Sequence, residues 1–445
     1  MRIDPVLIST AAIVMTSAGC GSSVGDPTAS ATSELSAATP GTLDPTFGSG
    51  GVVATTTVPV DGQPIATLQA DGKIVVATGL QDGVVAGIVF GVLRYLPGGT
   101  LDASFGSGGG VRTAISNQIN EALSVTVQPQ DGKIVVSGYA SNSQNTSEAV
   151  AVLRYNGDGT LDTSFGGSGF VTTTLLGFRD DGHAVLVQPD GKILVGASAL
   201  TCLGRQSVCP FDTALVRYTA TGSLDTTFGS GGKVIVAGVG AVDRVALESD
   251  GSILAVNSKG AVAAFSSTGA SQPAALTGSI TSVSAGGGPA FQPDGKVVVP
   301  TTAPGLGRHG LQVQVKRLTL AGAADPTFNS PAFSFGPEKF NGASIPTAVL
   351  VEPSGKIVVG GSGPTSSPSS LLSNFGLARL NADGSVDTTF GSNGQTITPV
   401  GSTDNLDMLL QQPDGKILTV GSVEFTNDAG TLTAIGVGLL RFAGP

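Results

Sequence analysis

One turn recurs along the chain at an almost constant spacing, and this spacing constrains the fold more than any other feature. The clearest copy reads Gln188-Pro189-Asp190-Gly191-Lys192. The position before the turn glycine recurs at Asp71, Asp131, Asp190, Asp250, Asp294, Ser354 and Asp414, and only the step from Asp250 to Asp294 is clearly shorter than the others. An even period of this kind indicates similar supersecondary units, each too small to bury its own apolar faces. The sequence therefore predicts seven units in one closed array.

Each unit has the pattern of four short strands. In the second unit, the strand-like runs alternate or are rich in β-branched and apolar residues, and they span residues 122–128, 133–139, 149–155 and 170–175. Asp131-Gly132 and the run Asn156-Gly157-Asp158-Gly159 supply tight turns between them. Four antiparallel strands repeated seven times predict an all-β fold, a seven-bladed β-propeller.

The repeat also resembles a known family. Its clearest segments are LDTTFGSGG at 224–232, QPDGKIL at 188–194 and ALVRY at 214–218. They are similar to the delta-60 (DUF5122-type) repeat of exported bacterial proteins, and the layout resembles the NHL type of propeller. The resemblance covers residues 41–445. It implies a propeller fold and, since the family has no assigned activity, no mechanism.

An arginine near the end of the third strand precedes an aspartate by eight positions in five units. The pairs are Arg94 and Asp102, Arg154 and Asp162, Arg217 and Asp225, Arg317 and Asp325, and Arg379 and Asp387. The fourth unit lacks both residues. Their joint absence indicates that the two interact, either as an ion pair or through backbone capping across the turn.

The two ends of the repeat array complement each other. The seventh unit ends with Arg441 and no following aspartate, whereas the first segment carries Asp44 and no preceding arginine. Joining the ends would restore the interval of eight positions. We therefore expect residues 43–58 to supply the outer strand of the last blade, beside residues 438–442. Such closure covers a strand edge that would otherwise be open to aggregation.

The N-terminal region predicts export. Residues 6–19 are apolar or small and too short to cross a bilayer, which is typical of a secretory signal within residues 1–20. The segment Ser17-Ala18-Gly19-Cys20 resembles a bacterial lipobox, although Ser17 stands where Leu is usual. Lipidation of Cys20 is favoured, and an ordinary signal with an incidental cysteine is the alternative. Residues 21–40 are rich in Ser, Ala, Thr and Gly, so a flexible tether is expected before a propeller at 41–445. The expected location is the outer membrane, periplasm or cell surface.

The remaining two cysteines, Cys202 and Cys209, lie between strand-like runs. In an exported protein this pair predicts a disulfide. A zinc site would need further ligands, and the only histidines, His183 and His309, are not close in sequence. We therefore expect no metal and no cofactor.

Charge and aromatic content restrict the partners. The formal net charge is −10, which argues against nucleic acid and against electrostatic adhesion to anionic lipid. The chain has no Trp and only four Tyr, so stacking platforms for sugars are not supported. A monomer is expected, held at the membrane by its lipid and binding an unknown protein or polysaccharide at the envelope.

The connections after the second strand of each unit vary in length, unlike the other turns. They fall at residues 79–89, 140–148, 199–212, 258–260, 303–310, 361–374 and 423–434. Variable loops on a rigid scaffold usually carry binding. We therefore place the binding site on that rim and at the mouth of the central channel there.

No single residue stands out as catalytic. The run 156–162 resembles a calcium loop, but its first and twelfth ligand positions would be Arg154 and Phe165, so a plain turn is favoured. His183 and His309 lack acidic or nucleophilic neighbours in a known arrangement, and each is expected to be a solvated loop residue. The repeated lysine of the Asp-Gly-Lys turn is interpreted as a solubilising residue.

Two functions follow from these patterns. The first is a non-catalytic scaffold that binds a protein or other macromolecule through its variable rim, and the alternative is a hydrolase or lyase with a pocket at the channel. Two carboxylates, or a histidine with a carboxylate, meeting at the channel mouth would favour the enzyme. A channel lined by small residues would favour the scaffold. The fourth unit, residues 238–287, departs most from the repeat. It is the place to look for a break in symmetry that an enzyme would show, and simple degeneration of the repeat explains the departure equally well.

Overall fold

The strands of the chain are arranged as a ring of seven antiparallel sheets. A computed structural model describes residues 39–82, 87–142, 144, 146–200, 211–274, 280–284, 286–305, 311–335, 343–364, 373–427 and 430–444. These residues form twenty-eight strands, which confirms the predicted all-β propeller. In this part of the chain, no helix has the length and apolar character needed to cross a bilayer.

The first three blades have the same strand order, in which each strand pairs with the next along the chain. A single strand, β1 (Val52–Thr55), precedes them. Blade 1 contains β2 (Ile65–Leu68), β3 (Ile74–Asp82), β4 (Gly87–Tyr95) and β5 (Gly110–Thr113). Blade 2 contains β6 (Asn120–Val127), β7 (Ile134–Ser141), β8 (Glu148–Tyr155) and β9 (Phe170–Thr173). Blade 3 contains β10 (Arg179–Val187), β11 (Ile193–Leu200), β12 (Asp212–Tyr218) and β13 (Lys233–Val236).

The fourth and fifth blades depart from this order, and the last two return to it. Blade 4 contains β14 (Arg244–Glu248), β15 (Ile253–Val256), β16 (Val262–Phe265), β17 (Ser271–Gln272) and β18 (Ile280–Val283). Blade 5 contains β19 (Ala290–Phe291), β20 (Val297–Pro304) and β21 (Leu311–Leu318). Blade 6 contains β22 (Ile345–Val351), β23 (Ile357–Pro364), β24 (Ser373–Leu380) and β25 (Gln395–Thr398). Blade 7 contains β26 (Thr403–Gln411), β27 (Ile417–Thr426), β28 (Leu432–Phe442) and β1.

The ring is closed by the N-terminal strand, as the sequence predicts. Strand β1 pairs antiparallel with β28, so that Val52 lies opposite Leu440. Before the strand, the backbone N–H of Asp44 donates to the carbonyl of Arg441 at 2.8 Å. Within the predicted segment 43–58, only residues 52–55 form a regular strand, because the preceding residues make the turn that places Asp44 beside Arg441.

Two blades differ from the four-strand prediction. In blade 4, β18 belongs to the link that leads to blade 5, and it pairs with the free edge of β14 as a fifth strand. In blade 5, the outer strand is reduced to one bridge between Val313 and Phe333. Pro331 precedes this bridge and has no N–H to donate, which limits a ladder there. The fifth strand of blade 4 therefore covers the inner edge of that blade with additional backbone.

The core lies between adjacent blades. The first strands of neighbouring sheets contact one another around the ring, which places them next to the axis. The apolar side chains of the sheets pack between the blades, and Phe47, Phe105, Phe165 and Phe228 are fully buried there. Burial of this apolar surface, at about 25 cal/mol per Å², is the main stabilising contribution.

Candidate functional site

The arginine and aspartate of each predicted pair are in direct contact. In each case the arginine Nε donates to the aspartate Oδ2 at 2.7–2.9 Å. The six pairs are Arg94 with Asp102, Arg154 with Asp162, Arg217 with Asp225, Arg317 with Asp325, Arg379 with Asp387, and Arg441 with Asp44. The last pair joins the two ends of the propeller across 397 residues of sequence. We call each pair and its surroundings a fastening.

Further contacts complete each fastening. At Asp102, the Ser104 hydroxyl donates to Oδ1 at 2.6 Å, and Lys73 of the Asp-Gly-Lys turn lies 3.6 Å from Oδ2. The hydrogen bonds from Ser104, opposed by burial and assisted by Arg94 and Lys73, lower the pKa of Asp102 to about 2. The guanidinium of Arg94 also stacks 4.5 Å from the ring centre of Phe105. The interpretation of this lysine as merely solubilising is therefore incomplete.

The fastenings also link neighbouring blades. The Nη1 of the arginine donates to a backbone carbonyl in a turn of the next blade. Arg154 donates to Ala220 in this way, and Arg441 donates to Pro97. Three tyrosines add further links at other positions, where Tyr95, Tyr155 and Tyr218 hydrogen-bond to Thr55, Thr113 and Thr173 of the preceding blade. These contacts hold the ring together. The fastening of blade 6 differs from the others, because the Nη1 of Arg379 has no hydrogen-bond partner among the described residues and lies 3.8 Å from Glu352 Oε1.

A different repeat position lines the central channel. Four innermost strands contain a register shift that leaves one residue out of the ladder. These residues are Leu123, His183, Thr347 and Asp407. The same repeat position in the other blades is held by Gln63, Asp243 and Gly287, and the spacing along the chain is even except for the shorter step from Asp243 to Gly287. All seven residues line one cavity of about 280 Å³, and we call them the channel ring.

The bulges explain why this position faces the axis. Side chains of an innermost strand normally alternate between the two neighbouring blades, because the sheets stand radially around the channel. A bulge inserts one residue that has no partner on the next strand, and it redirects that side chain. The Ser258 turn between β15 and β16 also lines the cavity. The cavity therefore opens on the rim with the connections after the second strands, where the sequence places the binding site.

Two aspartates of the channel ring lack compensation. Asp243 and Asp407 each have a buried Oδ2 atom without a hydrogen-bond partner among the described residues. Burial raises the pKa of Asp243 to about 6, against the opposing charge of Arg244. Burial likewise raises the pKa of Asp407 to about 8, against a hydrogen bond from the backbone of Ser422. The Arg244 side chain donates instead to the carbonyls of three link residues, Ser284, Gly286 and Gly287.

His183 lies on β10 at the channel, so the expectation of a solvated loop histidine is wrong. Its Nε2 lies 2.8 Å from Ser198 Oγ and 3.9 Å from Asp181 Oδ2, and 29% of its side chain is exposed. Burial lowers the pKa of His183, although Asp181 opposes this effect. Asp181 is buried in turn beside Arg179, at 3.1 Å. The sequence contains a signal for this placement, because His183 and Asp243 are separated by the repeat interval and so hold the same position in successive blades.

The link between blades 4 and 5 narrows one side of the channel mouth. It runs through Gly286, Gly287 and Gly288, all of which line the cavity. The N–H of Gly288 donates to the carbonyl of Thr347 at 2.6 Å. A Cβ added at Gly287 would overlap the carbonyl oxygen of Asp407. The link that follows the fourth unit thus breaks the repeat symmetry of the channel where it meets blades 6 and 7.

Several predicted residues lie outside the described residues. They are Cys20, Cys202, Cys209 and His309. Among the residues that are described, no group of three or more His, Cys, Asp and Glu side chains is placed to hold a metal ion. A larger cavity of about 800 Å³ lies between residues 41–43 and 391–399, and no described titratable side chain lines it. The channel mouth is therefore the better candidate for chemistry.

Comparisons with known proteins found remote structural neighbours and a matching family model. No curated protein matches the chain. Among solved structures, it is similar to the GH93 alpha-L-arabinofuranosidase of Fusarium graminearum in complex with arabinobiose, at 13% identity and a TM-score of 0.39 over 88% of this chain and 98% of that one. The beta-propeller domain of the Trilobed protease from Pyrococcus furiosus matches at 7% identity and a TM-score of 0.39, over 88% and 95% of the two chains. A luciferin-regenerating enzyme matches at 11% identity and a TM-score of 0.35, over 77% and 99%.

These structural likenesses are too remote to carry an argument about function. The sequence itself gives a closer match, in four stretches that together make up less than half of the chain. Residues 69–105, 130–165, 188–228 and 352–390 match the family described as "Domain of unknown function (DUF5122) beta-propeller". Each stretch contains an Asp-Gly-Lys or Ser-Gly-Lys turn and both residues of a fastening. The chain therefore carries DUF5122 beta-propeller repeats.

Proposed function

We propose that the protein is an exported β-propeller, anchored through Cys20, that binds a small polar molecule at the mouth of its central channel. One observation carries this proposal. The seven channel-ring positions hold six different residue types, whereas the fastening positions keep Arg and Asp in six of the seven blades. A purely structural position in a repeat has the same neighbours in every blade, so it has no reason to vary in this way.

The size and lining of the cavity support a small ligand. Its volume of about 280 Å³ lies just below the range of about 300–1,000 Å³ that is usual for small-molecule sites. Gln63, His183 and Thr347 supply polar groups, and Ile65 and Leu123 supply apolar surface. Capture of a protein or polysaccharide by the variable connections stays a prediction, because parts of most of those connections lie outside the described residues.

A hydrolase or lyase at the same cavity is the second candidate. The observation that favours it is that His183, Asp243 and Asp407 line one cavity and have pKa values shifted in different directions. General acid–base catalysis uses such pairs. In this scheme Asp407 is the acid, and His183 is the base. The Asp407→Asn change would then lower turnover by about 100-fold or more while substrate still binds. If the unaltered protein binds a compound and does not convert it, the enzyme is excluded and the non-catalytic binding protein remains.

The proposal is tested with a variant that fills the channel mouth. Leu123→Trp adds an indole to the cavity, whereas Leu96→Trp makes the same change at an exposed turn on the opposite rim. We expect small polar compounds that raise the melting temperature of the unaltered protein to act equally on Leu96→Trp and to lose their effect on Leu123→Trp.

The panel should contain neutral, cationic and anionic compounds of similar size. A compound that stabilises Leu123→Trp as strongly as the unaltered protein binds elsewhere and contradicts the proposal. The proposal is also overturned if no compound in the panel shifts the melting temperature of the unaltered protein.

A further inference from the structure

We propose that the molecule bound at the channel mouth is a small organic cation with a primary ammonium group, held between Asp243 and Asp407. This inference rests on the proposed function, since it requires a ligand in that cavity. It adds the charge and chemical class of the ligand.

The propeller contains two kinds of aspartate, those of the fastenings and those of the channel ring. Every fastening aspartate contacts an arginine and a lysine, as Asp225 contacts Arg217 at 2.8 Å and Lys192 at 3.3 Å. Asp243 and Asp407 have buried carboxylate oxygens with no hydrogen-bond partner in the described part of the chain. A buried carboxylate oxygen without a partner is energetically unfavourable, so a missing cationic partner is the simplest complement.

The charged groups around the cavity are mainly acidic. Its titratable lining residues are His183 from β10, Asp243 before β14 and Asp407 from β26, and no described lysine or arginine lines it. Behind them, Asp181 faces His183, and Arg244 lies next to Asp243 with its guanidinium directed at backbone carbonyls. The ligand-facing charge of the cavity is therefore acidic, and it comes from two separate blades.

The cavity offers hydrogen-bond acceptors that match an ammonium group. An ammonium group has three donors and no acceptor. The Thr347 hydroxyl donates to the carbonyl of Leu406, which leaves its oxygen lone pairs as acceptors in the same cavity. Two carboxylates and this hydroxyl give three acceptors. A metal ion fits less well, because no cluster of three ligating side chains occurs among the described residues.

The test uses pairs of amines and alcohols with matched shape. The probes are trans-4-aminocyclohexanol with trans-cyclohexane-1,4-diol, and ethanolamine with ethylene glycol, titrated calorimetrically into the full chain. We expect an amine to bind at least tenfold more tightly than its paired diol. Asp243→Asn and Asp407→Asn should each weaken amine binding at least tenfold. Asp414→Asn, at an exposed turn on the opposite rim, is the matched control and should leave binding unchanged.

Binding should also be linked to protons. An ammonium ion favours the ionised carboxylates, whose pKa values are raised by burial, so binding releases protons. We expect amine affinity to rise from pH 6 to pH 8 by up to about tenfold per pH unit for each proton released. The calorimetric heat should also depend on the ionisation enthalpy of the buffer. An affinity that falls over this range contradicts the inference.

The outcomes separate this inference from the proposed function. If a neutral or anionic compound binds and Leu123→Trp abolishes that binding, the cation inference is wrong and the channel site stands. If Ca²⁺ or Mg²⁺ binds and displaces the amine, the ammonium assignment is wrong. Amine binding that survives both asparagine changes also overturns it. The asparagine variants should fold, because each replaces a carboxyl whose charged form is disfavoured by burial and keeps the side-chain shape.

Discussion

Aspartates in this propeller have pKa values shifted in opposite directions, depending on their partners. Burial opposes ionisation of Asp225, but hydrogen bonds from Thr227 and Lys192 and the charge of Arg217 outweigh this effect and lower its pKa. Asp407 is buried without such partners, and its pKa is raised to about 8. The same residue type therefore stabilises the fold at one repeat position and destabilises it at the other. Destabilising groups retained in a regular fold are typical of sites that bind.

Replacing one fastening aspartate tests its structural role. Asp225→Asn keeps the shape and the contact with Thr227, but it leaves Arg217 without its counter-charge and Lys192 with only the exposed Asp190. We expect the free energy of unfolding to fall by about 2–4 kcal/mol, measured by urea denaturation. Asp190→Asn, which contacts the same lysine at a site 55% exposed, is the control and should cost no more than about 0.5 kcal/mol. Equal effects of the two changes would show that the fastening contributes nothing special.

At the residue scale, the sequence predicted these pairs but not their environment. The interval of eight positions and its joint loss in the fourth unit identified Arg94 and Asp102 as partners. Lys133 lies much farther from Asp162 in the chain, and it could not be assigned to that aspartate because strand pairing brings the two together. For His183 the sequence shows no partner in a known arrangement, whereas in the fold Asp181 on the same strand lies 3.9 Å from its Nε2 and Ser198 on the next strand lies at 2.8 Å.

Strand irregularities, more than strands, create the candidate site. The four β-bulges turn one residue of each inner strand towards the channel, and the glycine link from 286 to 288 brings backbone against it. Strand positions were predictable because β-branched runs and Asp-Gly turns recur. A bulge depends on the register between two strands, which a hydrophobic pattern shared by all blades does not specify.

Two glycines of the link differ in the space around them. A methyl group at Gly287 would overlap the Asp407 carbonyl oxygen, whereas at Gly286 its nearest neighbour would be the Asp243 carbonyl oxygen at 3.6 Å. Neither glycine has a positive φ, so only the available space distinguishes them. We expect Gly287→Ala to cost about 1–3 kcal/mol and Gly286→Ala to be nearly neutral, measured by chemical denaturation. A neutral Gly287→Ala would mean that the link does not pack against blade 7.

For the whole molecule, the two classes of aspartate predict how stability depends on pH. Six fastening aspartates have lowered pKa values, so their contribution is present above the usual value of 3.8 and is lost as pH falls towards about 2. His183, with its lowered pKa, adds a loss that begins below 6.5. Asp243 and Asp407 act in the opposite sense, because their raised pKa values make stability fall as pH rises above 3.8, until about 6 for Asp243 and about 8 for Asp407.

The melting temperature should therefore be highest near about pH 4 to 5 and should fall on both sides, most steeply in acid. Asp407→Asn should remove much of the alkaline decline and leave the acid decline unchanged. Calorimetric scans from pH 2 to 9 of both proteins provide the measurement. A melting temperature that rises between pH 6 and 8 in the unaltered protein would contradict the assignment of Asp407 as a buried, uncompensated carboxyl.

The pairing of β1 with β28 also determines the order of events when the protein is made. Synthesis proceeds from the N-terminus, so the strand at residues 52–55 emerges long before its partner at 432–442. Blades 1 to 6 can form from contiguous sequence, whereas blade 7 must wait for β28 and must close a loop that spans nearly the whole propeller. Contacts between such distant residues form slowly, since loop closure is entropically unfavourable until they are made. Until then, β1 and the partly built ring each expose an unpaired edge, and this interval is when the nascent chain most needs a chaperone.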